Sequence, residues 1–226
     1  MSFKNIIIPA RAGSKGWPGK NVMLFDCTAS KIPGEFRNKV IVSTDDIQIT
    51  ALSEKYGYQL HERSSETSAD TADIKSAIKE IVSAGDYKTT DVIVMLYLTY
   101  PDRDWDHVIQ MYNTFISNEC RSMLCAQPVK THPYLVMYDA PGNTGKQVIR
   151  HSCYQRQQYP ECFELSHYIC MFRVGEISRL NKNMYNTKTQ FYSIPRTIDV
   201  DSEDDYKQFM SQQDSGTKTD NNPDTL

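Results

Sequence analysis

Strand-length apolar runs that alternate with amphipathic stretches constrain the fold of this chain most. Four such runs occupy residues 5–10, 39–43, 91–98 and 122–127, and their continuous apolar character predicts strands buried on both faces. Between them, apolar residues recur at helical spacing over 74–82 and 105–116, and a weaker stripe covers 46–56 and stops at Gly57. The alternation predicts an α/β fold, with a mostly parallel, Rossmann-like sheet flanked by helices.

The second half of the chain follows a different pattern after Pro128. Tyr-rich, β-prone segments surround a turn at residues 140–143, which predicts a small antiparallel arm within 128–172, of the kind that packs on a second subunit. A last helix is expected at 203–210. The polar run 211–226 has little to bury and is predicted to be a disordered tail, so that residues 1–210 form one domain.

Composition excludes several classes of protein. With 25 basic and 28 acidic residues the formal charge is -3, which offers no broad positive face for nucleic acid. The apolar runs are too short to cross a bilayer or to serve as a secretory signal, so we expect no membrane partner. The six cysteines form no CxxC pair and are typical of reduced thiols. A cytoplasmic protein is expected, or a nuclear one in a eukaryotic host.

The segment IIIPARAGSKGWPGKN, residues 6–21, carries the strongest chemical signal. A buried strand ends at Pro9, and three glycines then alternate with basic residues. Glycines let backbone N–H groups approach an anion, and the cations neutralise it, so the loop suits a di- or triphosphate at the carboxyl end of a strand. The glycines are Gly13, Gly16 and Gly19, and the cations are Arg11, Lys15 and Lys20.

Spacing excludes the two commonest phosphate loops. A Walker A loop requires glycine where Ser14 stands and Ser or Thr where Asn21 stands, and the dinucleotide pattern GxGxxG is absent. A plain glycine-rich turn remains an alternative on local physics alone.

The same segment resembles the signature loop of the acylneuraminate cytidylyltransferases, which make CMP-sialic acid and related CMP-sugar acids. Further similar segments follow in the family's order. They are Val40-Ile41-Val42-Ser43-Thr44-Asp45, Arg63 with Ser68-Ala69-Asp70-Thr71-Ala72, His132-Pro133, Arg156-Gln157-Gln158 and Ile198-Asp199-Val200-Asp201-Ser202-Glu203.

This resemblance implies CTP as donor, a sugar acid as acceptor, Mg²⁺ as cofactor, and a homodimer in which one subunit's arm helps to close the other's site. It places the phosphates by Arg11, Ser14, Lys15 and Lys20, within a nucleotide site that also includes Ala12, Gly13, Asn21, Arg63 and Asp70. It makes Arg11, Lys20, Asp199 and Asp201 the residues of catalysis, the last two as magnesium ligands. Substrate contacts fall to Tyr97, Thr99, Arg156, Gln157 and Ser166.

The acidic pair is also supported by the residues themselves. Residues two apart on a strand point the same way with Cα atoms roughly 7 Å apart, so Asp199 and Asp201 are able to reach one hard cation. The alternatives are a solvated acidic turn, or a cap provided by Asp201 to the helix that begins near Ser202.

The chemistry expected is in-line displacement at the α-phosphorus of CTP by the anomeric hydroxyl of a 2-keto-3-deoxy sugar acid, with release of pyrophosphate. Two departures from the family pattern leave the sugar open. Tyr97 stands where the family has a glutamine, and residues 164–167 replace its Arg-Pro-Asn-Gly-type run. Sialic, legionaminic, pseudaminic and ketodeoxyoctonic acids therefore remain candidates. So do a non-catalytic nucleotide-binding homologue and a nucleotidyltransferase for another sugar.

Overall fold

The computed structural model describes residues 3–13, 16–69 and 71–216 of the chain. Within those ranges the strands form a seven-stranded sheet and a separate two-stranded sheet. The strands are β1 Asn5–Pro9, β2 Val40–Thr44, β3 Gln59–Glu62, β4 Val92–Met95, β5 Ser122–Pro128, β6 Met137–Ala140, β7 Thr144–Gln147, β8 Phe163–Arg173 and β9 Gln190–Ser193. The α-helices are α1 Lys20–Ala29, α2 Ile47–Lys55, α3 Ser65–Ser68, α4 Ile74–Ala84, α5 Trp105–Ser117 and α6 Glu203–Gly216.

The large sheet is mostly parallel, as the sequence predicts. Its strand order is β3-β2-β1-β4-β8-β5-β9, and β1, β2, β3 and β4 are parallel neighbours, as are β5 and β9. All four predicted strands are present, with ends that differ by no more than three residues. The α/β, Rossmann-like architecture is therefore confirmed.

Strand β8 is the main departure from the predicted fold. It runs antiparallel between β4 and β5 in the centre of the large sheet. The arm predicted within 128–172 is therefore wrong at its carboxyl end, because residues 163–172 belong to the core sheet. The β-prone composition of this segment was visible in the sequence, but its strand partner is set by tertiary packing.

Strand β1 shows how the sheet is buried on both faces. Ile6 and Ile8 point into the hydrophobic cluster that includes Leu24 of α1 and Phe115 of α5, whereas Ile7 points into a second cluster with Ile78 of α4. All three isoleucines are fully buried. Burial of such a side chain contributes about 1.5–3 kcal/mol, so these layers hold the carboxyl edge of β1 in a fixed position.

The predicted turn joins β6 to β7 in an antiparallel hairpin. Gly142 (φ 81°) and Asn143 (φ 55°) both adopt left-handed backbone conformations, which glycine and asparagine tolerate better than other residues. Met137 and Tyr138 of this hairpin are exposed.

The last helix is longer than predicted. Helix α6 continues to Gly216, so the first six residues of the segment predicted to be disordered are helical. The rest of that segment, 217–226, lies outside the described residues. None of the helices in the described ranges is both long enough and apolar enough to cross a membrane.

Candidate active site

The loop after β1 lies at the carboxyl edge of the sheet and is tied down at both ends. The backbone N–H of Ala12 donates to Asp45 Oδ1 (2.7 Å), and Asn21 Nδ2 donates to the carbonyl oxygen of Arg11 (2.9 Å). Asp45 directly follows β2, the parallel neighbour of β1, so two strand ends fix the start of the loop. Gly19, with φ 76°, then turns the chain into α1, whose first turn no described side chain caps.

The phosphate loop and the acidic segment near the carboxyl terminus meet at one point. Lys20 Nζ lies 2.6 Å from Asp201 Oδ1, although 181 positions separate the two residues. The lysine side chain is only 13% exposed and the aspartate side chain is 68% exposed. Trp17 packs on Tyr206 with ring centroids 5.2 Å apart, which fixes the loop against α6.

The acidic pair has the predicted alternation but not the predicted secondary structure. Residues 198–201 form an irregular connection between β9 and α6, so the expectation of a strand here is wrong. Val200 is nevertheless fully buried and donates its N–H to Thr99 O (2.8 Å), while Asp199 and Asp201 on either side are exposed. The buried valine is what leaves both carboxylates at the cleft.

In the contacts that the structure describes, Ser202 rather than Asp201 caps helix α6. Ser202 Oγ accepts the N–H of Asp205 (3.2 Å), and Asp205 Oδ2 accepts the N–H of Ser202 (2.8 Å), a reciprocal arrangement at the start of α6. The carboxylate of Asp201 is therefore available to Lys20 and to ligands.

Neighbouring groups crowd the carboxylate of Asp199. Its Oδ2 accepts the hydroxyl of Tyr100 (3.0 Å), and Tyr100 also accepts the backbone N–H of His167 (3.3 Å). Asp199 keeps exposed surface, but the groups packed around its carboxylate remove water from it, and this desolvation raises its pKa most. A hydrogen bond from Thr99 opposes the shift, and the negative charge of Asp201 adds to it. A cation at this position would relieve the repulsion between the two carboxylates.

The donor set fits magnesium. The part of the chain that the structure describes holds no group of three or more His, Cys, Asp or Glu side chains placed to bind a metal. Magnesium, however, is commonly held by one or two carboxylates together with water and substrate phosphates. Asp199 and Asp201, beside the phosphate loop, match that pattern.

Two arginines line the nucleotide side of the cleft. Arg11 Nη1 donates to Ser68 O and Arg63 Nη1 donates to Thr67 O, each at 3.4 Å, so both contact the end of α3. Burial lowers the pKa of Arg63, and the negative charge of Asp45 opposes that shift. Both guanidinium groups remain cationic at neutral pH and suit an anionic ligand.

On the predicted sugar side, Tyr97, Thr99 and Ser166 lie close to the acidic pair. The ring of Tyr97 meets that of His167 edge-on at 5.4 Å, and burial raises the pKa of Tyr97 above its usual range. Ser166 is 1% exposed and its hydroxyl contacts Tyr100. Aromatic rings and hydroxyl groups therefore line this side of the cleft, which we call the aromatic wall.

Within the described part of the chain, no contact holds the side chains of Arg156 and Gln157 at this cleft. Both are exposed residues of a short 3-10 helix, Arg156–Gln158. Among the described residues, no hydrogen bond or ion pair joins either side chain to the acidic pair or to the phosphate loop. Ser14, Lys15 and Asp70, which the sequence also assigned to the nucleotide, lie outside the described residues.

Sequence reasoning missed three residues that build the site. Asp45 anchors the phosphate loop and Tyr100 anchors Asp199. Arg103 is 3% exposed and donates to the carbonyl oxygens of Tyr97 (2.6 Å) and Tyr168 (2.9 Å), which joins the wall to β8. Asp45 ends the segment 40–45 that resembles the family, and Tyr100 directly follows the predicted substrate residue Thr99, but a buried arginine gave no local signal.

A glycine-rich loop at the carboxyl edge of a parallel sheet, with cations and an acidic pair facing it, defines a nucleotide-binding α/β protein. The sequence profile of the cytidylyltransferase family matches residues 5–213, and this chain belongs to that family.

Curated relatives extend the match. The chain is 23% identical over 214 residues to post-translational flagellin modification protein B of Campylobacter coli, with 88% of this chain and 90% of that protein covered. It is 27% identical over 212 residues to an N-acylneuraminate cytidylyltransferase of Streptococcus agalactiae serotype V (strain ATCC BAA-611 / 2603 V/R), with 88% of this chain covered. The match spans only 51% of that longer protein.

Among solved structures, the fold is similar to that of a CMP:2-keto-3-deoxy-manno-octonic acid synthetase complexed with CTP. The TM-score is 0.64 at 13% identity, with 95% of this chain and 100% of the other covered. At that identity the similarity supports the fold alone.

Proposed function

We propose that this cytidylyltransferase transfers CMP from CTP to the anomeric hydroxyl of a sialic-acid-like 2-keto-3-deoxy sugar acid and releases pyrophosphate. The anomeric hydroxyl gives its proton to a base in the cleft or to water, and its oxygen forms the new bond to the α-phosphorus. The bond from that phosphorus to the β-phosphate oxygen breaks. The observation that supports the proposal is the 2.6 Å approach of Lys20 to Asp201, because a lysine proposed to bind phosphate then lies beside a carboxylate proposed to hold the metal.

The chain's own residues supply position and charge in this reaction. Arg11 and Lys20 would neutralise the triphosphate as negative charge moves onto the leaving pyrophosphate. Arg63 and Asn21 would hold the cytidine side. Asp45 and Asn21 already hold the backbone of Ala12 and Arg11 at the start of the loop, so these two residues need little reorganisation when CTP binds.

Asp199 and Asp201 would hold Mg²⁺ in this proposal. Bound there, magnesium supplies positive charge to the phosphate oxygens. Lys20 must then exchange its contact with Asp201 for one with phosphate, which the high exposure of Asp201 permits. The hydrogen bond from Tyr100 keeps Asp199 oriented during that exchange.

A homodimer is part of the proposal because the sugar side is incomplete within one chain. Arg156 and Gln157 are exposed, and the neighbouring arm carries exposed apolar side chains, including Met137, Tyr138 and Ile149. An arm that enters a second subunit's cleft would bring Arg156 to the acceptor's carboxylate. Because CTP is an intracellular metabolite, the cytoplasm is the proposed location.

The test is pyrophosphate release by purified protein with magnesium, CTP and a panel of sialic, legionaminic, pseudaminic and ketodeoxyoctonic acids. ATP, GTP and UTP serve as donor controls. Release that requires CTP and one member of the panel is expected. CTP binding without release for any acceptor would favour a non-catalytic nucleotide-binding homologue, which the aromatic wall at Tyr97 makes the specific alternative.

A further inference from the structure

Glu80 of α4 lies behind the cleft and contacts two elements that the proposed reaction does not use directly. Its Oε1 accepts the hydroxyl of Ser64 (2.5 Å) and its Oε2 accepts the hydroxyl of Thr67 (2.8 Å). Oε2 also lies 3.5 Å from His61 Nε2. The hydrogen bond from Ser64 is the main reason why the pKa of Glu80 is lowered. One carboxylate therefore joins α4 to α3 and β3.

The first branch of this network leads through α3 to both cleft arginines. Ser64 caps α3, and the last carbonyls of that helix, Thr67 O and Ser68 O, accept from Arg63 and Arg11. A helix of four residues is not stable by itself, because too few hydrogen bonds offset the cost of ordering it. Glu80 holds both ends of α3 and so stabilises the carbonyls that orient the arginines.

The second branch leads through His61 and Ser43 to Arg63. Arg63 Nε donates to Ser43 Oγ (3.0 Å), and Ser43 Oγ lies 3.1 Å from His61 Nδ1. Since the hydroxyl accepts from Arg63, its own proton is free to point at His61 Nδ1. The proton of neutral His61 is then on Nε2, facing the carboxylate of Glu80.

We propose that Glu80 is a positioning residue that holds Arg63 and Arg11 in place for the phosphates and base of CTP. Its two branches, through α3 and through His61 and Ser43, converge on Arg63 from opposite sides. Glu80 itself does not touch the nucleotide. The inference rests on the proposed function, since it requires CTP in this cleft.

Glu80→Ala tests the inference by equilibrium CTP titration and by steady-state kinetics. We expect CTP to bind about tenfold more weakly and KM for CTP to rise similarly, while kcat changes less than about twofold. The reason is that each hydrogen bond of this kind changes an equilibrium constant by a few-fold. The side chain is 33% exposed, so the thermal midpoint should stay close to that of the wild type. Glu54→Ala is the matched control, since Glu54 is an exposed helical glutamate of α2 whose side chain makes no described contact.

A double-mutant cycle shows whether Glu80 acts through Arg63. In an Arg63→Ala background, Glu80→Ala should weaken CTP binding less than about threefold. If Glu80→Ala fails to fold, Thr67→Val replaces it, because valine keeps the shape and removes the hydroxyl that donates to Glu80 and also contacts Ser64. An affinity loss of about threefold is expected.

Two results would overturn the inference. Fully multiplicative effects in the cycle would mean that Glu80 does not act through Arg63. CTP binding by Glu80→Ala as tight as by Glu54→Ala, while the wild type binds CTP, would refute the inference alone. A wild-type protein that binds no CTP would refute the proposed function as well.

Discussion

The nucleotide side and the sugar side of the cleft are built differently. On the proposed nucleotide side the described contacts lie within one chain: Lys20 meets Asp201 at 2.6 Å, and Asp45 holds Ala12 at 2.7 Å at the start of the phosphate loop. On the proposed sugar side, Tyr97 is partly buried and its ring meets that of His167, whereas the predicted cationic residue, Arg156, stands apart and exposed. The difference supports the proposal that donor recognition uses the sheet edge of one subunit, whereas acceptor recognition also uses a second subunit.

Substitution of Asp201 should cause the largest loss of activity among the variants of the nucleotide side. Asp201→Ala is expected to lower the rate of pyrophosphate release at least about 100-fold, as loss of a preorganised charge in an active site does. The thermal midpoint should hold, because the side chain is 68% exposed. Asp204→Ala, three residues further on in α6 and with a side chain that is 96% exposed, is the matched control. Normal turnover by Asp201→Ala would exclude the acidic pair from catalysis.

Substitution of Lys20 should weaken the binding of CTP on the same side of the cleft. Lys20→Ala is expected to raise KM for CTP about 10- to 100-fold, the range for a charge-assisted hydrogen bond. Lys207→Ala, an exposed lysine of α6, should leave KM unchanged. If Lys20→Ala bound CTP as tightly as the wild type, the loop would be a structural turn and not a phosphate-binding loop.

Substitution of Arg156 should distinguish the sugar side of the cleft from the nucleotide side. Arg156→Ala should raise KM for the sugar acid about tenfold and leave KM for CTP unaltered, because a lost ion pair to the carboxylate affects only the acceptor. Arg150→Ala, at another exposed position of the arm region, is the control. A change in KM for CTP instead would place Arg156 on the nucleotide side and remove the contrast between them.

The smallest expected effect is a pH dependence of CTP affinity. Burial lowers the pKa of His61, with Glu80 opposing and Arg63 assisting the shift; Lys4, Asp86 and Tyr87 lie across the adjoining cavity. Neutral His61 accepts the Ser43 hydroxyl, so this contact holds above the lowered pKa and is lost as pH falls through it.

CTP affinity should therefore fall about threefold in acid, below the ordinary His pKa near 6.5, as one hydrogen bond is lost. Titration of CTP across pH in wild type and His61→Gln measures this, and the variant should lose the dependence. An identical pH profile in both proteins would show that His61 is not involved.

Periodicity was enough to predict the layers of the fold, because β1, β2, β4 and β5 are buried on both faces and α4 and α5 on one. The antiparallel placement of β8 was not predictable, since its composition allows either an arm or a core strand and only packing decides.

The residues of the site also fall into those that the sequence predicted and those that it did not. Arg11, Lys20 and Asp201 belong to motifs with chemical meaning, and the structure brings the loop and the acidic segment together across 181 positions. Glu80 and Arg103 act through contacts between distant elements, which leave no motif. Arg103, at 3% exposure, is a residue type that composition alone would place at the surface.

The most direct test of the whole account is identification of the product. Wild-type protein incubated with CTP, magnesium and the accepted sugar acid should form one CMP-sugar acid, by mass, for each pyrophosphate released. Pyrophosphate released with CMP alone, and no CMP-sugar acid, would show hydrolysis of CTP and contradict transfer to an acceptor in this cleft.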